Sequence, residues 1–187
     1  MRTASLVAAA ALLAACGSPL KERYYLLEGP GGAGPASAAN AMSVHVGPVV
    51  VPESVDRPSM VIRTAPNQVD ISDAHRWAEP LKAAVPRVIA ENLMRELGTP
   101  RVTATRIGAN QPVDYRVALE VQRFDSSPSD GATVEAIWTV TPKQGAARTG
   151  RSAITEPAAS PDPAGLAAAH SRALGRLARE IAAEIRR

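Results

Sequence analysis

Along this chain the spacing of apolar residues changes period several times, and each change predicts a different element. Arg23-Tyr24-Tyr25-Leu26-Leu27 is a short aromatic and aliphatic run with strand character. Ser43-Val44-His45-Val46-Gly47-Pro48-Val49-Val50-Val51 predicts a second strand. It is interrupted at Gly47-Pro48, where a bulge or a sheet edge would absorb the missing amide donor, and it ends at Pro52. Pro52 to Pro58 is turn-rich, and Met60-Val61-Ile62-Arg63 with Gln68-Val69-Asp70-Ile71 around Ala65-Pro66-Asn67 reads as a β-hairpin.

The period then moves from two to 3.6. Leu81, Val85, Val88, Ile89, Leu93 and Leu97 share a helical face, with Lys82, Arg87, Glu91, Arg95 and Glu96 mostly opposite. Pro80 suits the first turn of this helix, and Gly98 with Pro100 closes it. Pro86 is a misfit, because an internal proline removes a hydrogen bond and crowds the preceding turn. The helix is therefore expected either to kink there or to begin nearer Val85.

Alternation returns in the second half. Arg101 to Thr105 is a short strand, and Asp114 to Phe124 is the clearest one, with Tyr115, Val117, Leu119 and Val121 against Arg116, Glu120 and Gln122. A turn over Asp125 to Gly131 leads into Thr133 to Val140, where Val134, Ala136, Trp138 and Val140 share a face. The two strands should form an antiparallel hairpin. Arg148 to Thr155 adds a further strand, and Pro163 to Ile185 a last helix striped by Leu166, Ala167, His170, Leu174, Leu177, Ile181 and Ile185. This Ala-rich helix carries Glu180 and Glu184 among its arginines, so it is expected to cover a core and not to lie on a membrane. Two main helices with an antiparallel or mixed sheet of about seven strands predict an α+β fold.

The amino-terminal segment changes the picture. Arg2, the apolar run Leu6 to Leu13 and the small residues before Cys16 have the layout of an export signal. The run is too short for a bilayer span, which needs about 20 apolar residues. Leu13-Ala14-Ala15-Cys16 is a bacterial lipobox: its cysteine is expected to become residue one of the mature protein and to carry acyl chains, palmitate among them. Each buried acyl methylene contributes about 0.8 kcal/mol, so two or three chains hold a protein on a membrane without a spanning helix. Gly17 follows the cysteine in place of an inner-membrane-retaining Asp, which points to the periplasmic face of the outer membrane. The expected organisation is a signal peptide at 1–15, a short lipidated tether at 16–22 and one domain at 23–187 containing a flexible Gly/Pro/Ala loop at 29–42. Because strand character begins within eight residues of Cys16, and extended chain covers at most about 3.3–3.6 Å per residue, the body must stand close to its membrane.

Composition narrows the chemistry. Cys16 is the single cysteine, so neither a disulfide nor a catalytic thiol is expected in the mature chain. The net charge of +3 is dispersed, and aromatics make up 3% of residues, which argues against a nucleic-acid surface. His45, His75 and His170 fall on different elements without metal-ligand spacing, so no metal or other cofactor is expected. No nucleotide loop, nucleophile elbow or similar catalytic motif is present, and the chain is read as a non-enzyme. Asp125 and Asp130 could be imagined as a carboxylate pair, but acids flanking Ser126-Ser127-Pro128-Ser129 suit turn chemistry better.

Several segments together resemble the PqiC-like family of ABC-type transport auxiliary lipoproteins. They are the lipobox, Tyr24-Tyr25-Leu26-Leu27, Val46-Gly47-Pro48-Val49 running into Val51-Pro52, Asp56-Arg57-Pro58, His75-Arg76-Trp77-Ala78-Glu79-Pro80-Leu81, Ala90-Glu91-Asn92-Leu93, Asp114-Tyr115-Arg116-Val117 and Val121-Gln122-Arg123-Phe124-Asp125. The resemblance implies an α/β sandwich like the amino-terminal domain of TolB. It also implies a noncatalytic outer-membrane lipoprotein that works with a periplasmic MCE-domain protein and inner-membrane components in lipid transport, with self-association. An envelope-assembly lipoprotein that activates a cell-wall synthase is the alternative use of such a fold.

Within these motifs, Asp56, Arg57, Pro58, His75, Arg76, Trp77 and Glu79 are the candidate partner-binding residues. Trp77 either caps the apolar core or meets a partner. His75, Arg76 and Glu79 are read as polar neighbours of the first helical turn, with Glu79 suited to the helix dipole. Asp56-Arg57-Pro58 is either a turn with a local ion pair or an interface anchor on a stiff loop.

Overall fold

The computed structural model describes residues 21–29, 42–105 and 111–187. Cys16, the signal segment and nearly all of the predicted 29–42 loop lie outside them. The chain forms β1 (Arg23–Tyr25), β2 (Val44–Val50), β3 (Ser59–Ala65), β4 (Gln68–Trp77), α1 (Leu81–Leu97), β5 (Val102–Thr103), β6 (Tyr115–Ser127), β7 (Gly131–Pro142), β8 (Arg148–Glu156) and α2 (Pro163–Ile185). This is an α+β fold with one mixed, eight-stranded sheet.

β6 organises the sheet. Along one edge it pairs antiparallel with β7 from Tyr115↔Pro142 to Ser127↔Gly131, and β7 pairs in turn with β8. The other edge is shared, because the first half of β6 pairs in parallel with β2 whereas Ser126 pairs with Ile62 of β3. β5 extends the sheet beyond β2, and β4 then β1 extend it beyond β3. The parallel pairings join segments far apart in sequence, so the strand pattern alone did not predict them.

Alternation along the strands decides which face is buried. Val117, Leu119, Val121 and Phe124 of β6 and Val134, Ala136, Trp138 and Val140 of β7 are buried, with the stripes of α1 and α2 laid over them in one continuous core. Between Val121 and Phe124 the register slips: Val121 faces Ala136 and Arg123 faces Glu135, which leaves Gln122 as the extra residue of a bulge. A second shift, between Val46 and Val49 of β2, takes up Pro48 as the sequence predicted.

Four local expectations are corrected. α1 starts at Leu81 and continues through Pro86, with Pro80 as its N-cap residue and not inside the first turn. Pro86 is itself buried in the core-facing stripe, and the carbonyl deprived of its donor belongs to exposed Lys82, where water can reach it. His75, Arg76 and Trp77 are the end of strand β4 and not helix neighbours, since each pairs in parallel with a residue of β1. The turn is confined to residues 128–130, and Asp125 lies within β6, so it is not a turn residue. Asp130 does play the turn role, accepting a 2.8 Å hydrogen bond from Ser127 Oγ. At the carboxyl-terminal end, α1 closes as predicted, with Gly98 in the left-handed conformation at φ 64°.

Candidate functional site

The two motifs separated in sequence, residues 56–58 and 75–79, meet at one corner of the sheet. Ser59 pairs with Arg76, and the Trp77 amide donates to the Pro58 carbonyl at 2.7 Å, fixing the turn against the end of β4. The Ala78 amide donates to the Tyr25 carbonyl at 2.8 Å, which adds β1 to the same corner.

Most of the candidate side chains are engaged inside the molecule. Trp77 is buried, edge-on to Phe124 and His170 with ring centroids 6.2 and 6.1 Å away, so it belongs to the core. His75 Nδ1 lies 2.8 Å from the Tyr25 hydroxyl. Arg76 donates to Glu22 at 2.7 Å; the hydrogen bond from the Tyr24 hydroxyl, and then this one from Arg76, hold the Glu22 carboxyl below its ordinary pKa. Asp56 does carry an ion pair, but its partner is Lys82 of α1 at 2.8 Å and not neighbouring Arg57. Glu79 precedes the N-cap and does not sit in the first turn; it accepts from Arg87, about two helical turns on.

Arg87 is the hub that sequence reading missed. Its guanidinium reaches Glu79, Glu91 at 2.9 Å and the Leu27 carbonyl at 2.7 Å, tying α1 to the segment after β1. Its i,i+4 spacing to Glu91 was legible, but the carbonyl it holds comes from 60 residues away.

Arg57 differs from these neighbours. Among the described residues its side chain has no ion pair or hydrogen bond, and its Nε is buried without a partner. The half-buried side chain stands on the Pro58-stiffened turn, and a guanidinium with no acid beside it in the fold can pair with an external carboxylate.

A second arrangement was invisible in the sequence. Ser126 Oγ lies 2.9 Å from His170 Nε2, the spacing of a hydroxyl and its general base, and Asp125 is adjacent. The geometry does not make a triad. His170 is fully buried and stacked on Phe124 at 3.9 Å and 8°, and burial pushes its pKa down to about 3. Its Nδ1 has no partner, while Asp125 points to the opposite face of the sheet, towards Arg63 and Arg123. With Ser126 only 3% exposed, a substrate carbonyl has no approach to the hydroxyl. The pair satisfies one polar atom of an otherwise apolar layer.

No three His, Cys, Asp or Glu side chains gather among the described residues, and none of the described helices is long and apolar enough to cross a membrane.

The family model of the ABC-type transport auxiliary lipoprotein component matches residues 24–182. The chain belongs to this family, a class of lipoproteins that serve ABC-type transport systems. Two crystal structures share the fold. An uncharacterized protein aligns with a TM-score of 0.72 at 18% identity, over 88% of this chain and 99% of its own. A Xanthomonas campestris protein of family DUF330 aligns with a TM-score of 0.63 at 20% identity, over 87% of this chain and 94% of its own. No curated protein matches the chain.

Proposed function

We propose that this protein is a noncatalytic docking lipoprotein of the outer membrane, anchored through acylated Cys16. On this reading it receives the periplasmic end of an MCE-type, ABC-driven lipid transport system. The family match over residues 24–182 carries the reading. The corner described above supports it: residues 56–58 and 75–79 converge there, and the charged groups are neutralised within the fold apart from Arg57. An unpaired guanidinium on a turn whose backbone is held and whose charged neighbours are paired suits an interface anchor, because binding a carboxylate there breaks no existing pair.

The test is co-purification of the lipidated protein with the MCE-domain protein of its own envelope. Arg57→Glu should reduce capture by at least about tenfold, the scale of one lost anchor, while leaving the unfolding midpoint unchanged. Capture at the wild-type level would reject the corner as the docking site. Capture of a cell-wall synthase in place of the MCE-domain protein would move the protein to envelope assembly. The anchor is tested separately by Cys16→Ser, which should leave the outer-membrane fraction. An unmodified mature terminus at any other residue would reject it.

A further inference from the structure

A groove of about 830 Å³ runs between the β1 segment and α2. Its position follows from three local facts. Leu27 is buried and draws the chain after β1 against the helices, and the Glu28 amide donates to Ser171 Oγ of α2 at 3.0 Å. Gly175 lets α2 approach α1, since a Cβ there would stand 3.1 Å from Asn92 Oδ1. The floor of the groove is therefore made of small residues, Ala167, Ser171 and Gly175 among them.

Its two sides are chemically different. On the β1 side stand Tyr24 and Leu26, which are 59% and 52% exposed and are two of the five large apolar side chains left in solvent among the described residues. On the α2 side stand Arg172, Arg176 and Arg179, one row at helical spacing. Arg172 and Arg176 share Glu156 at 3.4 and 3.0 Å, whereas Arg179 has no ion pair or hydrogen bond among the described residues. Glu28 and Glu156 are the acids lining the groove, so cations outnumber them three to two.

The geometry points to an anionic phospholipid of the anchoring membrane as the occupant, its phosphate held by Arg176 and Arg179 and the start of an acyl chain lying against Tyr24 and Leu26. Guanidinium forks match phosphate oxygens, and tyrosine and aliphatic side chains suit the boundary just below the head groups. Location supports this occupant over a free anion. The inference rests here on the proposed anchor: Tyr24 is eight residues from Cys16, and that much chain spans at most about 30 Å. Tyr24 is one wall of the groove, so acylation would keep the groove within about 30 Å of the membrane surface.

The experiment is native mass spectrometry of the lipidated protein released from micelles doped with either phosphatidylglycerol or phosphatidylcholine. One phosphatidylglycerol should be retained in preference to phosphatidylcholine. Arg176→Ala and Arg179→Ala should each lower its occupancy about fivefold, the effect expected of one cation near an anionic lipid surface. Leu26→Ser should lower retention of both lipids. Arg151→Ala removes equal charge from the far side of the sheet and should change nothing. The inference is overturned by equal retention of the two lipids, by an equal loss in that control, or by displacement of the lipid with inorganic phosphate, which would make this a free-anion site. The same spectra report covalent acylation of Cys16 as a separate mass, so failure of the groove and failure of the anchor are read independently.

Discussion

The two faces of the sheet are built from the same strands, one residue out of step, and they hold together by different physics. On the helix side Val117, Leu119, Phe124, Val134 and Trp138 are covered by α1 and α2. On the other side the charges of four adjacent strands alternate: Arg63 meets Asp125 at 2.8 Å, Asp125 also meets Arg123 at 2.5 Å, and Glu135 joins Arg123 at 3.3 Å to Arg151 at 2.9 Å. Threonine pairs extend this polar surface, Thr133 with Thr155 and Thr139 with Thr149, each at 3.0 Å. The covered face contributes stability through area removed from water, whereas the open face contributes little and keeps the sheet wettable.

The comparison is sharpest where a single substitution acts on one face only. Trp77→Ala removes the ring that closes the Phe124–His170 layer and should cost about 3–5 kcal/mol, read from urea unfolding; a loss below 1 kcal/mol would mean the corner, and not the core, is its place. Gly150→Ala should cost about 1–3 kcal/mol, because its new methyl would enter the Trp138 ring, which lies across the strand from it with the nearest carbon 2.2 Å from the Cβ position. Loss of near-ultraviolet dichroism from Trp138 would accompany the change.

A proton can distinguish the faces as well. His170 titrates near 6.5 when unfolded and at about 3 when folded, so between these values the unfolded chain binds the extra proton. Stability is therefore complete above pH 6.5 and falls as pH drops, by up to about 1.4 kcal/mol per pH unit for this group. His45, whose pKa burial also lowers despite its hydrogen bond to the Thr105 carbonyl, adds in the same direction. His170→Phe should remove one proton from the slope measured between pH 4.5 and 5.5. An unchanged slope would mean that His170 is not buried in its neutral form. Below that range Asp125 takes over: burial raises its pKa, but the hydrogen bonds from Arg63 and Arg123 outweigh burial and hold it under its ordinary value. Its contribution is present above pH 3.8 and is lost as pH falls through the depressed folded value.

The smallest effect belongs to the open face alone. Arg151→Ala breaks one exposed pair and should shift stability by less than about 0.5 kcal/mol, with even that difference fading in high salt. A loss above 1 kcal/mol would show that the charge ladder acts as a unit.

How much of this could be read beforehand depended on the range of each interaction. The β6–β7 hairpin, both helices and the bulge at Pro48 were legible because alternation, helical periodicity and proline chemistry act within a few residues. The extent of β4 was not: its end at Trp77 is stabilised by pairing with Arg23–Tyr25, about fifty residues earlier. The same limit applied to the candidate site. Its residues were recognisable as motifs, but nothing local indicated that Asp56 would go to Lys82, Glu79 to Arg87 and Arg76 to Glu22, leaving Arg57 apart.

By itself, then, the order of residues determined most of the elements and the core-facing stripes. Tertiary structure alone decided which distant charges cancel, that Ser126 and His170 are sealed away, and that the arginines of α2 face Tyr24 and Leu26 across a groove. The division has a physical cause. Backbone preference and burial periodicity are properties of neighbouring residues, whereas a hydrogen bond or a cavity wall exists only once the parallel pairings of β1, β2 and β3 bring remote segments together.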